Sequence, residues 1–226
     1  MLNYDWEFGR LAMYAEAFAH GAGLTILLSL STVTFALILG VVWGIGLARS
    51  PALRLLTLPV VDILKSLPPL VLVLFGYFFL SPNVVGFSAP GFLTFTVFVG
   101  FNIAAFIADL VRAAATNVPR EYLQLGAALA LTERQIQRRI VAPLAIRELL
   151  PPIAYLAIET VKLTSLASII NTREMVYVAQ GVIVDTSRSL EVWVVVSAIY
   201  IALIWPSAVI VRRLEGRLKL AAGLQK

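Results

Sequence analysis

The run from Gly21 to Ala48 contains no charged residue. As an α-helix it is about 42 Å long, more than the roughly 30 Å hydrocarbon core of a bilayer. Composition gives that run its surroundings. Of the 226 residues, 60% are hydrophobic and 14% charged, whereas an ordinary soluble domain carries about 25% charged residues. So few charges do not clothe a compact soluble surface, and the chain reads as an all-α membrane protein. With no cysteine, it has no disulfide framework, thiolate metal site or cysteine nucleophile. No metal site and no catalytic residue is expected.

Four more spans follow by the same length argument. Val71 to Leu80 is strongly apolar but covers only about 15 Å. The second span must therefore begin near Leu55 and end at Leu80, carrying Asp62, Lys65 and Pro68-Pro69 with it. Ser81-Pro82-Asn83 then reads as a short turn. The third span is expected over Pro90–Ala113, the fourth over Leu149–Ile170 and the fifth over Leu190–Val211. Residues 1–20 hold Asp5, Glu7 and Glu16 against Arg10, the reverse of a signal peptide's basic start. Trp6 to His20 reads as a short interfacial segment, His20 included.

The basic residues orient these spans. Arg49 and Arg54 follow span one. Arg112, Arg120, Arg134, Arg138, Arg139 and Arg147 lie around the loop after span three, and Arg212, Arg213, Arg217, Lys219 and Lys226 form the tail. Only Arg10, Arg173 and Arg188 fall on the opposite side. The positive-inside rule puts the N-terminus outside and the C-terminus in the cytoplasm. It also accounts for the net charge of +5 without nucleic acid, since no basic run is interleaved with base-stacking aromatics. Five spans do not divide into two equal repeats, so one copy supplies half of a pathway and needs a second membrane subunit. Gly40 and Gly44 make a small-xxx-small pattern, which suits packing either within the chain or between subunits.

The polar segment 116–142 lies between spans three and four. Leu123 to Leu131 is rich in Ala and Leu and suits a short helix. Thr132-Glu133-Arg134-Gln135 reads as a capping box opening a second helix over about Glu133–Val141, with Ile136 and Ile140 on one face. Two short helices with an apolar ridge suit a groove on a soluble partner, the alternative being an anionic lipid surface.

Here the chain resembles a known family, the permease subunits of ATP-binding-cassette importers of the polar amino-acid uptake group. The resemblance covers about His20 to Leu218. Gln124-Leu-Gly-Ala-Ala-Leu-Ala130 with Arg138-Arg139-Ile140-Val-Ala-Pro143 is similar to that family's cytoplasmic EAA loop. Lys65-Ser-Leu-Pro68-Pro69, Asn102 to Arg112, Lys162 to Ser168, Val178-Ala179-Gln180 and Arg212-Arg213-Leu-Glu215 also fit. Gln124 stands where the family usually has Glu, and Ala130 where it usually has Gly; an alanine there is expected to shift any tight turn. Leu125 and Gly126 replace two alanines, and Lys65-Ser66-Leu67 replaces Arg-Gly-Thr.

The resemblance implies a multi-pass protein of the bacterial inner membrane that works with ABC ATPase subunits, an extracytoplasmic solute-binding protein and a second permease, identical or homologous. ATP belongs to the ATPase, since this chain has no Walker A pattern. Gln124, Gly126, Ala130, Leu131, Arg134, Arg138 and Pro143 become candidates for ATPase coupling. For the pathway, Lys65, Asn102, Glu159, Lys162, Thr164 and Ser165 are candidates, because ionisable and polar groups within spans are costly unless they face protein or water. Glu159 with Lys162, Asp62 with Lys65, and Asp109 with Arg112 each lie three apart and can pair on one helix face. The Glu159–Lys162 pair is expected to be buried, and either meets a zwitterionic solute or satisfies itself. Pro68-Pro69 and Pro151-Pro152 are expected to kink or hinge their spans. A dimeric secondary transporter or channel without ATP, or a membrane scaffold, are the alternative readings.

Overall fold

The computed structural model describes residues 4–81, 84, 86 and 88–221. Pro82, Asn83 and Lys226, assigned above to a turn and the tail, lie outside the described residues, as do the side chains of Glu215, Arg217 and Lys219. A 3-10 turn over Phe8–Tyr14 runs into α1 (Ala15–Arg49), so the helix begins ahead of the uncharged run. α2 (Pro51–Ser66), α3 (Pro69–Phe79) and α4 (Gly91–Thr116) follow. Next come α5 (Arg120–Ala128) and α6 (Glu133–Ile136), a π turn over Gln137–Val141, and α7 (Ala142–Leu163). A 3-10 segment over Thr164–Ile170, α8 (Met175–Thr186) and α9 (Ser189–Ala221) complete the order.

By length and apolarity, four helical runs suit a membrane, or five if α2 and α3 count as one bent span. The expected five-span reading holds in that form, with two corrections to the boundaries. The second span is not one continuous helix. Leu67 is extended (φ −80°, ψ 131°), because a residue before proline is driven out of the helical region, and Pro69 opens a new helix where its missing N–H costs nothing. The fourth span is not separate from the second short helix. Glu133–Ile170 forms one helical run, and Pro151 and Pro152 sit inside α7 without ending it. The π turn includes Arg139, whose carbonyl the ring of Pro143 would strike in a regular α-helix. Widening the helix there lets it continue.

The chain forms two compact units: Met1–Thr32, Pro69–Val99 and Ile158–Val209; and Val33–Pro68, Gly100–Ala157 and Ile210–Lys226. In the first, Leu11, Phe18, Met175, Ala179, Val182, Val192 and Val196 make an apolar core. Phe98 lies against Gly76 and meets Phe75 edge to face, with centroids 6.1 Å apart.

In the second unit, α1 and α4 approach backbone to backbone. A Cβ on Gly40 would lie 2.7 Å from the carbonyl oxygen of Ala104, and one on Gly44 2.6 Å from that of Ala108. Ala104 and Ala108 are fully buried, so a small-xxx-small pair on each helix meets the other. The Gly40–Gly44 pattern therefore serves packing within the chain. Leu47, Val61, Ala105 and Ala108 form the core beside it, with Trp43 and Leu64 against them. Trp43 Nε1 donates to Thr57 Oγ1 at 3.0 Å, tying α1 to α2.

The same unit holds the elbow between α4 and α7. α5 ends in a Schellman motif: Ala130 N–H donates to the Ala127 carbonyl at 2.9 Å and Leu131 N–H to that of Gly126 at 3.1 Å. Ala130 takes φ +53°, so the expectation that alanine shifts the turn is corrected. The turn is kept, with alanine in the left-handed region that favours glycine. The capping box forms as expected, with Thr132 N–H donating to Gln135 Oε1 at 2.8 Å and Gln135 N–H to Thr132 Oγ1 at 3.4 Å.

Two stability changes follow from these geometries. Ala130→Gly is expected to raise stability by about 1 kcal/mol, read as a higher midpoint of thermal unfolding in detergent. Gly44→Ala is expected to lower it by about 1–3 kcal/mol, because the carbonyl it meets belongs to a helix backbone that must move; an unchanged midpoint would mean that α1 and α4 do not touch there.

Candidate functional site

The chemistry-bearing residues fall into separate groups within each unit. In the second unit, Lys65 Nζ lies 2.6 Å from Asp109 Oδ2 and 3.5 Å from Asp62 Oδ1, while Arg112 Nη2 lies 2.6 Å from Asp109 Oδ1. The two expected i,i+3 pairs thus merge into one chain of alternating charge that joins α2 to α4. Each oxygen of Asp109 has its own cation, the arrangement a carboxylate within a span needs. Asn102, buried on α4, donates from Nδ2 to the carbonyl of Leu64 at 2.6 Å. Lys65 and Asn102, both taken as pathway candidates, are thus engaged in binding α2 to α4.

The other pathway candidates lie together in the first unit. Glu159 and Lys162 form the expected salt bridge. Their side chains are 31% and 50% exposed, so the pair is not buried as expected. Thr164 Oγ1 donates to the Val161 carbonyl at 2.8 Å and Ser165 Oγ to that of Lys162 at 2.8 Å. Both hydroxyls bond back to the preceding turn, where the α-helix tightens into the 3-10 segment. His20, on α1, is exposed.

Two clusters in the first unit had no sequence signal beyond single charged residues. Glu174 is fully buried and caps α8, accepting from Tyr177 N–H at 2.9 Å and from the Tyr200 hydroxyl at 3.4 Å. Burial pushes its carboxyl up, against the two backbone N–H groups and the phenol that hold it down. Met175 N–H donates to Thr25 Oγ1 at 3.2 Å, fastening the same helix start to α1. In the other cluster, Glu191 is buried and accepts from the Tyr4 hydroxyl at 2.5 Å and from Glu7 N–H at 3.2 Å. The hydrogen bond to Glu191 raises the Tyr4 phenol above its usual value. Arg188 Nη2 lies 2.9 Å from Glu7 Oε2, and Arg188 Nη1 donates to the Asp5 carbonyl at 2.9 Å. These contacts pin the N-terminal segment to the start of α9.

At the elbow, the coupling candidates divide by exposure. Gly126 is buried, and a Cβ there would lie 2.9 Å from Ile136 and 3.0 Å from Ile140. Ile136 and Ile140 therefore close on α5 and do not form the exposed ridge expected of them. The exposed ridge runs along α5 itself: Tyr122, Leu125 and Leu129 are 45%, 59% and 65% exposed and follow helical spacing. Gln124, Ala130, Arg134, Arg138 and Pro143 are exposed beside it, and Leu131 is half-buried.

A family model described as binding-protein-dependent transport system inner membrane component matches residues 36–220. The glutamine transport system permease protein GlnP of Escherichia coli is 28% identical over 222 residues, spanning 97% of this chain and all of that one. The octopine transport system permease protein OccM of Rhizobium radiobacter is 32% identical over 78% of this chain and 77% of its own length. Among solved structures, an amino acid ABC transporter has the same fold, with a TM-score of 0.87 and 21% identity over 95% of this chain and all of that chain. The family supplies the non-enzymatic membrane part of ATP-driven importers, alongside ATPase and binding-protein partners. The chain belongs to the family of binding-protein-dependent transport system inner membrane components.

Proposed function

We propose that this chain forms one half of the membrane pathway of an ABC importer for polar amino acids or related small solutes. Its N-terminus lies outside and its elbow in the cytoplasm, as the basic residues of the loops favour. A binding protein delivers solute from outside, a second permease, identical or homologous, completes the pathway, and ATPase subunits hold the elbow. The names of the relatives support the solute class, since glutamine and octopine transport systems both use such permeases.

The observation that carries the mechanism is the continuity of the elbow with α7. Tyr122, Leu125 and Leu129 offer an apolar ridge for a groove on the ATPase, and Gln124, Arg134 and Arg138 flank it with polar contacts. The Schellman turn and the capping box fix the angle between α5 and α6. From α6 the helix runs through the π turn into α7, which carries Glu159 and Lys162. A displacement imposed on the elbow is therefore passed along one helix to the charged pair. At that pair the Glu159 carboxylate suits the ammonium group of a zwitterionic solute and the Lys162 ammonium its carboxylate. Exchange of the internal salt bridge for these contacts keeps both charges satisfied as solute passes.

Two variants separate the coupling role from the pathway role. Ala130→Glu, which places a bulky charge in the left-handed turn, is expected to reduce co-purification with the ATPase while membrane insertion persists; unchanged assembly would remove the elbow from the mechanism. Glu159→Gln is expected to retain assembly but lower uptake by about tenfold, or to alter its solute profile, in vesicles holding the full importer. Unchanged kinetics would make the pair a packing feature. Uptake by vesicles lacking the ATPase would overturn the importer reading itself.

A further inference from the structure

The end of α1 and the first turns of α2 border an open cleft of about 460 Å³, a volume in the range of small-molecule sites. Arg49, the last residue of α1, and Arg54, in the first turn of α2, line it beside the junction of the two helices, and Leu47, Leu55, Leu58 and Pro59 line it too. On α2, Arg54 or Leu55, then Leu58, then Asp62 follow helical spacing and share one face. A polar head and an apolar wall therefore lie in sequence along that face, over about 12 Å from Arg54 to Asp62. Both arginines are exposed, and among the described residues neither pairs with a carboxylate. Asp62, at the far end, is held by Lys65 at 3.5 Å, so it does not neutralise the arginines. The start of α2 adds the positive end of a helix dipole on the same side.

We infer that this cleft binds an anionic phospholipid, with Arg49 and Arg54 on the phosphate and an acyl chain against Leu55 and Leu58. The charge at the head calls for an anion. The wall and the place of the cleft call for one with a hydrocarbon tail, because Arg49 ends the span formed by α1 and Leu55 is 80% exposed. A guanidinium forks onto a phosphate with two parallel hydrogen bonds. Neither arginine belongs to the elbow or to the Glu159–Lys162 pair, so this site stands whether or not the proposed solute and mechanism are right.

The test is lipid exchange onto the full chain in detergent, followed by native mass spectrometry, with phosphatidylglycerol compared against phosphatidylcholine of the same acyl length. The wild type is expected to prefer phosphatidylglycerol by about tenfold, and Arg49→Gln with Arg54→Gln to lose that preference. Leu58→Trp, which fills the wall and spares the arginines, is expected to weaken binding of both lipids at this site while the chain stays folded by circular dichroism. Equal binding of both lipids by the wild type, or an undiminished preference in the double arginine variant, would overturn the proposal. So would displacement of the lipid by glycerol phosphate at matched concentration, since the site would then read the headgroup alone.

Discussion

Helices in lipid gain nothing from hiding apolar surface from one another, so their association rests on close contact and on polar bonds. The contact on which the second unit depends is the approach of α1 to α4 at Gly40 and Gly44. Because no side chain intervenes, the carbonyls of Ala104 and Ala108 come within van der Waals reach of α1. The polar bonds then build on α4. Asn102 and Asp109 lie on that helix, and both reach α2, one through the carbonyl of Leu64 and the other through Lys65. A break in α2 after Ser66 is thereby tolerated, since the last turn before the break is held from the side and does not rely on the helix continuing.

Much of this was legible in the sequence because lipid imposes simple demands. A span must be long, nearly uncharged and flanked by basic residues, and the runs at Gly21–Ala48 and Pro90–Ala113 meet those demands plainly. The capping box at Thr132–Gln135 was legible for a different reason: its two hydrogen bonds involve residues three apart, and local geometry fixes them. Residues distant in sequence were not legible. The i,i+3 rule pairs Lys65 with Asp62 and Arg112 with Asp109, and each pairing exists, but nothing local reveals that Lys65 also reaches Asp109 across 44 positions. Tyr4 and Glu191, 187 positions apart, are joined only by the path of the chain.

The exposed ridge lies on α5 for a related reason. Ile136 and Ile140 are four apart and apolar, so a pattern argument makes them a free face. A glycine at position 126 changes that, because its missing side chain leaves a socket for both isoleucines. They are half-buried against it, and Tyr122, Leu125 and Leu129 are left as the exposed apolar face of α5. At Ala130 the preference for glycine in a left-handed turn is outweighed. The left-handed conformation costs an alanine about 1–2 kcal/mol, and the hydrogen bonds of the Schellman motif hold it there regardless.

The π turn over Gln137–Val141 has a geometric outcome of its own. An α-helix advances by roughly 100° per residue, and a π turn accommodates one residue more than an α turn does. Side chains before and after it are consequently out of phase by about one residue's rotation. Residues of α6 and α7 that a regular helix would bring to one face therefore stand on different faces, and the angle between those faces is set by the number of residues in that turn as much as by their identity.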